Sequence, residues 1–177
     1  MKVLFLFLFS TCFFIADVFS QEKESRKWKS GIELGTGLSF TGYNANLAYT
    51  GTFNKNVLFA GPKIVYSDAN ALFDTPWGVQ LGYRRIFKIS QRFDAFVSLE
   101  YQAVFFEYEA LESRQLNSIQ EVHLSYGLQY FFGDHWRVGN SIGGGGYIER
   151  LVDPFDGRVD VFSGYSTYVR IFCGYHF

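Results

Sequence analysis

Tyr165-Ser-Thr-Tyr-Val-Arg-Ile-Phe-Cys-Gly-Tyr-His-Phe177 decides how the rest of the chain is read. Counted back in twos from Phe177, one register holds Phe177, Tyr175, Cys173, Ile171 and Val169, and it is apolar throughout. The other holds His176, Gly174, Phe172, Arg170 and Tyr168 and is mixed. A period of two means a β-strand with two unlike faces.

The same alternation recurs upstream. It predicts strands over Gly31–Phe40, Tyr43–Phe53, Val57–Ser67, Trp77–Phe87, Phe93–Glu107, Ile119–Phe132 and Trp136–Ile148, with Val161–Phe177 closing a set of eight. Short turns are expected at Thr41–Gly42, Asn54–Asn56, Lys88–Arg92 and Gly133–His135. Longer loops are expected at Asp68–Pro76, Tyr108–Ser118 and Glu149–Asp160. In the third strand Leu58, Ala60, Ile64 and Tyr66 share the apolar face opposite Lys63. Pro62 has no N–H for a ladder, which predicts a bulge near Gly61–Pro62. Arg85 interrupts the apolar register near a strand end, where it can snorkel to an interface. Four glycines, Gly143 to Gly146, lie inside a strand pattern and are expected to relieve crowding against Tyr147, Phe162 or Phe172.

At 177 residues, one domain is the prior. Aromatic residues make up 20% of the chain, with Phe 21 and Tyr 12, yet mean hydropathy is only +0.01, unlike a helical membrane protein. A net charge of −1 gives no electrostatic case for nucleic acid. Lys2, the apolar run Val3–Ile15 and Val18-Phe19-Ser20 read as a secretory signal peptide over 1–20, cut after Ser20. A membrane anchor fits less well, because the run is short and Asp17 interrupts it. A lipoprotein signal at Cys12 fits poorly with Phe9-Ser10-Thr11 before it. A charged periplasmic lead-in, 21–29, precedes a barrel over 30–177, with Trp28 placed for a membrane boundary. Once Cys12 leaves with the leader, Cys173 has no partner for an intramolecular disulfide and reads as a small lipid-facing hydrophobe.

Alternation alone leaves open which face points inward, since a soluble lipocalin-like barrel would bury the apolar register. Two features favour apolar-out. The polar register is Gly, Ser, Asn and Gln with isolated charges, suited to a narrow interior. Phe40, Tyr43, Phe53, Trp77, Phe87, Phe93, Trp136 and Phe177 mark strand ends in the apolar register, as two aromatic girdles would. The interior register then holds Glu33, Lys63, Arg84, Glu100, Glu121, His123, Arg137 and Arg170. Buried unpaired charges are costly, so these are expected to pair into a lumenal Glu–Arg network that plugs the barrel; an ion path is the alternative reading.

With its leader, eight alternating strands, loop asymmetry and terminal Phe177, the chain resembles the small eight-stranded outer-membrane β-barrels of the OmpA/OmpX type found in Gram-negative bacteria. The resemblance covers Ser30 to Phe177 and implies an all-β, antiparallel, up-and-down transmembrane barrel in the outer membrane. It also implies outer-membrane lipid and lipopolysaccharide as surroundings. Barrel-insertion machinery becomes a partner, reading Val169, Ile171, Tyr175 and Phe177 on the closing strand. No periplasmic peptidoglycan-binding domain is expected, so that part of OmpA function is not implied.

His123-Leu124-Ser125 is similar to the His-x-Ser pair of the lipid A 3-O-deacylase family, also eight-stranded. The family motif continues Ser-Asn, whereas Tyr126 follows here. Parity places His123 and Ser125 inside, and no Glu stands at a matching point on the next strand. Asp153, Asp156 and Asp160 lack the EF-hand ligand pattern, so no metal is expected, and nothing implies a cofactor. The expected function is non-enzymatic: an envelope-structural or surface-contact barrel, with a lipid A hydrolase or a narrow pore as alternatives. The Tyr108–Ser118 segment is the expected partner-facing surface, its partner unspecified.

Overall fold

The computed structural model describes residues 29–66, 76–110, 113–153 and 157–177. The expected leader, Trp28, residues 67–75 and Asp156 lie outside the described residues. Eight strands follow in order: β1 (Lys29–Ser39), β2 (Gly42–Phe53), β3 (Asn56–Tyr66), β4 (Trp77–Lys88), β5 (Phe93–Ala110), β6 (Ser113–Phe132), β7 (Trp136–Val152) and β8 (Val159–His176). Each pairs antiparallel with its neighbours, and β8 closes on β1. The lead-in ends earlier than the expected boundary, because Lys29 is already paired with Thr52.

The register fixes the barrel's shape. Walking the ladder from Leu38 through Val169, Ile142, Tyr126, Val97, Arg85 and Asn56 to Phe53 returns to β1 about ten residues lower. A stagger of that size tilts the strands by about 40°. Strands of 11 and 12 residues, as in β1 to β4, then rise about 28 Å, close to the apolar band of an outer-membrane barrel.

The side chains are inverted relative to a soluble protein. Leu34 is 61% exposed on the outer wall and Leu124 55%, while Glu33 and Arg170 are 0% exposed inside. The apolar face therefore points outward, and the lipocalin-like alternative is excluded. Trp136 packs on Tyr175, and Phe93 on Tyr130, around the rim of short turns; Trp77 packs on Phe105 toward the other rim. Asn54 takes a left-handed φ of 54° in the turn that joins β2 to β3.

Four expectations are corrected. The segments expected as loops, Tyr108–Ser118 and Glu149–Asp160, are largely strand: Tyr108 pairs with Gln115, and Arg150 with Val161. Here β5 to β8 rise past the rim, where no lipid demands an apolar face, so alternation fades while the backbone ladder continues. No bulge forms at Pro62. Lys63 faces Asn46 and Ala60 faces Tyr49 in one unbroken register, and pairing to β2 simply lapses across Gly61 and Pro62. Phe40 does not join a girdle; it stacks on inward-facing Tyr147, with ring centroids 3.6 Å apart. Arg85 is not free to snorkel, since its Nη1 donates to Asn56 Oδ1 at 2.8 Å, an oxygen that also accepts from the Tyr83 hydroxyl.

Candidate functional site

The barrel interior gathers the ionisable residues of the inward register. Glu33 on β1 lies at the centre of its lower half. Its carboxylate accepts from Arg84 Nη1 and Nη2 at 3.0 and 3.1 Å, from Arg137 Nη2 at 2.9 Å and from Arg170 Nη2 at 2.8 Å. The two bonds from Arg84 are a bidentate fork, the geometry that suits guanidinium and carboxylate best. Three aromatic rings pack on these cations. The Arg84 guanidinium carbon lies 4.5 Å from the Phe96 ring centre and 4.4 Å from that of Phe172, and Arg170 lies 5.3 Å from Phe59.

Glu100 on β5 holds the next level. It accepts from the Tyr168 hydroxyl at 2.7 Å, from Ser98 at 2.9 Å and from Arg170 Nη1 at 3.4 Å. Arg170 thus links the two carboxylates. Above it, Lys63 donates to Gln102 Oε1 and to Thr41 Oγ1. Glu121 lies 3.3 Å from His123 Nε2 and accepts the Thr41 amide at 2.9 Å. The Phe40 amide donates to Ser166 Oγ at 3.2 Å. The two-residue β1–β2 turn is therefore drawn across the mouth rather than standing up from it.

Glu33, Lys63, Arg84, Glu100, Glu121, His123, Arg137 and Arg170 are the eight that parity in the sequence places inside. Parity was also the signal for Asp94, inward on β5, 6% exposed and accepting from Gln129, which was missed. With Asp94 included, the buried inward-facing charges among the described residues balance: Glu33, Asp94, Glu100 and Glu121 against Lys63, Arg84, Arg137 and Arg170. A neutral total suits an interior remote from counter-ions.

Room for this packing comes from glycine. Phe59 faces Gly82 across the ladder, Phe96 faces Gly127, Phe172 faces Gly139 and Tyr147 faces Gly164. A Cβ on Gly82 would stand 2.3 Å from the Phe59 ring, and one on Gly139 2.5 Å from that of Phe172. The expectation for Gly143 to Gly146 is corrected on this point. A Cβ on Gly143 or Gly145 would strike the β6 backbone at the Leu124 or Val122 carbonyl, not an aromatic ring.

His123 and Ser125 do not meet. Ser125 Oγ is 2.7 Å from Ser98 Oγ, while His123 Nε2 is 2.9 Å from Ser166 Oγ and its ring stacks on Tyr168. A Ser-His-acid relay needs the acid on the second ring nitrogen. Here Ser166 and Glu121 both approach Nε2, and Nδ1 is buried without a partner. No group of three metal-ligating side chains occurs among the described residues. On the closing strand, Val169, Ile171, Tyr175 and Phe177 all point outward, from 38% to 63% exposed. Of the expected partner-facing segment, Glu109 and Arg114 are backbone partners in the β5–β6 ladder, and Glu112 lies outside the described residues.

No family model matches the chain, and no curated protein does. Solved structures do. The N-terminal β-barrel domain of Pseudomonas aeruginosa OprF is similar at 12% identity with a TM-score of 0.61, over 84% of this chain and 97% of that one. Outer membrane protein H (OprH) of P. aeruginosa is similar at 10% identity and 0.57, over 84% and 99%. Neisserial surface protein A (NspA) is similar at 10% identity and 0.55, over 85% and 96%. The chain thus has the fold and the outward apolar band of a small outer-membrane β-barrel.

Proposed function

We propose that the protein is a sealed outer-membrane barrel with an envelope-structural or surface-contact role, not a pore or an enzyme. Residues 1–20 act as a cleaved leader. The outward face of β8, through Val169, Ile171, Tyr175 and Phe177, presents the insertion signal to barrel-assembly machinery. Lipid and lipopolysaccharide surround the apolar wall, and the strands that rise past the rim meet whatever the surface contacts.

The observation that carries this reading is the set of bonds crossing the interior between strands that are not neighbours. Arg84 on β4 reaches Glu33 on β1, Tyr168 on β8 reaches Glu100 on β5, and Phe96 on β5 packs on Phe172 of β8. Side chains meeting across the axis at hydrogen-bond and ring-contact distances support a closed interior, as expected where eight strands give an interior just wide enough for side chains. The commitment of Ser125 to Ser98 speaks against the acyl-hydrolase alternative. Planar-bilayer recording of the refolded protein tests the seal. The wild type is expected to show no unit conductance steps, and regular steps that vanish on Glu100→Ala would establish the pore instead.

A further inference from the structure

The outer wall carries one residue out of keeping with its surroundings. Asn140 on β7 points outward and is exposed, four residues from Trp136 at the lower rim. With a rise of about 3.3 Å per residue and a tilt of about 40°, it stands about 10 Å into the apolar band. Its cross-strand neighbours are Leu128 and Ile171. Two outward polar groups elsewhere on the wall find partners: Thr36 Oγ1 donates to the Asn44 carbonyl, and the Tyr101 hydroxyl to Gln120. Among the described residues no protein group satisfies the Asn140 amide, and hydrocarbon offers it nothing.

The relief around it is also concave. Val138 and Ile171 form a low ridge between two grooves of about 300 and 340 Å³. One is lined in part by Thr36 and Ala45, the other by Gly139 and Asn140. We propose that this β7–β8 wall joins two copies of the chain about a two-fold axis through Asn140.

The occupant follows from the chemistry of the amide. A carboxamide both donates and accepts, so it is complementary to itself. Copies in one bilayer share an orientation, which confines a two-fold axis to the membrane normal and brings the same residue of both copies to the same depth. Each Asn140 then accepts from and donates to the other. The Val138–Ile171 ridge of each copy enters a groove of its mate. An acyl chain would fill the grooves but leave the amide unpaired.

The proposal rests on the membrane reading above, and cross-linking in membranes separates the two. Ile142, two residues above Asn140 on the same face, is replaced by Cys in a Cys173→Ser background, leaving Asn140 intact. Ala60→Cys in the same background is the control, four residues into β3 on the opposite wall. Copper-phenanthroline oxidation is expected to give disulfide dimers through position 142 and few through position 60. Adding Asn140→Leu is expected to lower the yield at 142 about tenfold, the scale of two hydrogen bonds within a membrane. Equal yields at both positions, or no dimer from a chain that is membrane-embedded and heat-modifiable, would leave lipid over the grooves and overturn the proposal. A chain recovered in the aqueous phase would instead sink the membrane reading and take this one with it.

Discussion

Glu33 shows what a single inward residue can hold. It is fully buried, and it is the common acceptor of Arg84, Arg137 and Arg170. Glu33→Gln keeps the shape but removes the charge, leaving Arg84 and Arg137 without their anion. Removing one member of a buried ion pair costs about 3–5 kcal/mol, and that loss is expected in urea unfolding of the lipid-refolded barrel. A loss below about 1 kcal/mol would mean that the arginines are solvated rather than paired. At this scale the sequence is informative about membership and silent about partners. Parity puts Glu33 and Arg84 inside, but β1 and β4 are not neighbours, and nothing in a linear pattern says that they touch. The same limit hid Ser98 as the partner of Ser125, because that pairing depends on the β5–β6 register.

Strand pairing tolerates Pro62 through an unusually close approach. A Cβ on Gly61 would lie 1.9 Å from the Leu47 carbonyl oxygen, so the chain can sit against β2 there only as glycine. Gly61→Ala is expected to force β2 and β3 apart and to slow or abolish refolding into lipid vesicles, followed by the recovery of the compact gel band. Pro62→Ala, which restores an N–H, is expected to refold at least as well as the wild type. Refolding of Gly61→Ala at the wild-type rate would show that the strands separate without cost. Elements were legible wherever a bilayer enforces alternation, which is why β1 to β4 fall within a residue or two of their expected limits. Past the rim that pressure ends. The tops of β5 to β8 carry Tyr108, Asn117 and Arg150, which read as loop although the ladder carries them as strand.

For the molecule as a whole, closure dominates. β8 pairs with β1 from Gly31↔His176 to Leu38↔Val169, so no sheet edge is left within the band. An unheated sample in detergent is expected to run faster on a gel than a boiled one, reporting a compact barrel. Identical migration of the two samples would count against closure in solution. The eight-strand count and outward apolar face were legible because each strand repeats the same evidence. The lopsided upper rim was not, since it depends on where pairing stops rather than on composition.

The placing of rings over glycines has a consequence for how such a chain can evolve. Phe59 with Gly82, Phe96 with Gly127, and Phe172 with Gly139 each share one volume between two strands. Growth of either member displaces the other, and shrinkage of the ring opens a void. Neither can drift alone. Descendants of this sequence should therefore exchange these residues as couples, large for small on opposite strands, and that covariation would preserve the barrel's register while overall identity decays.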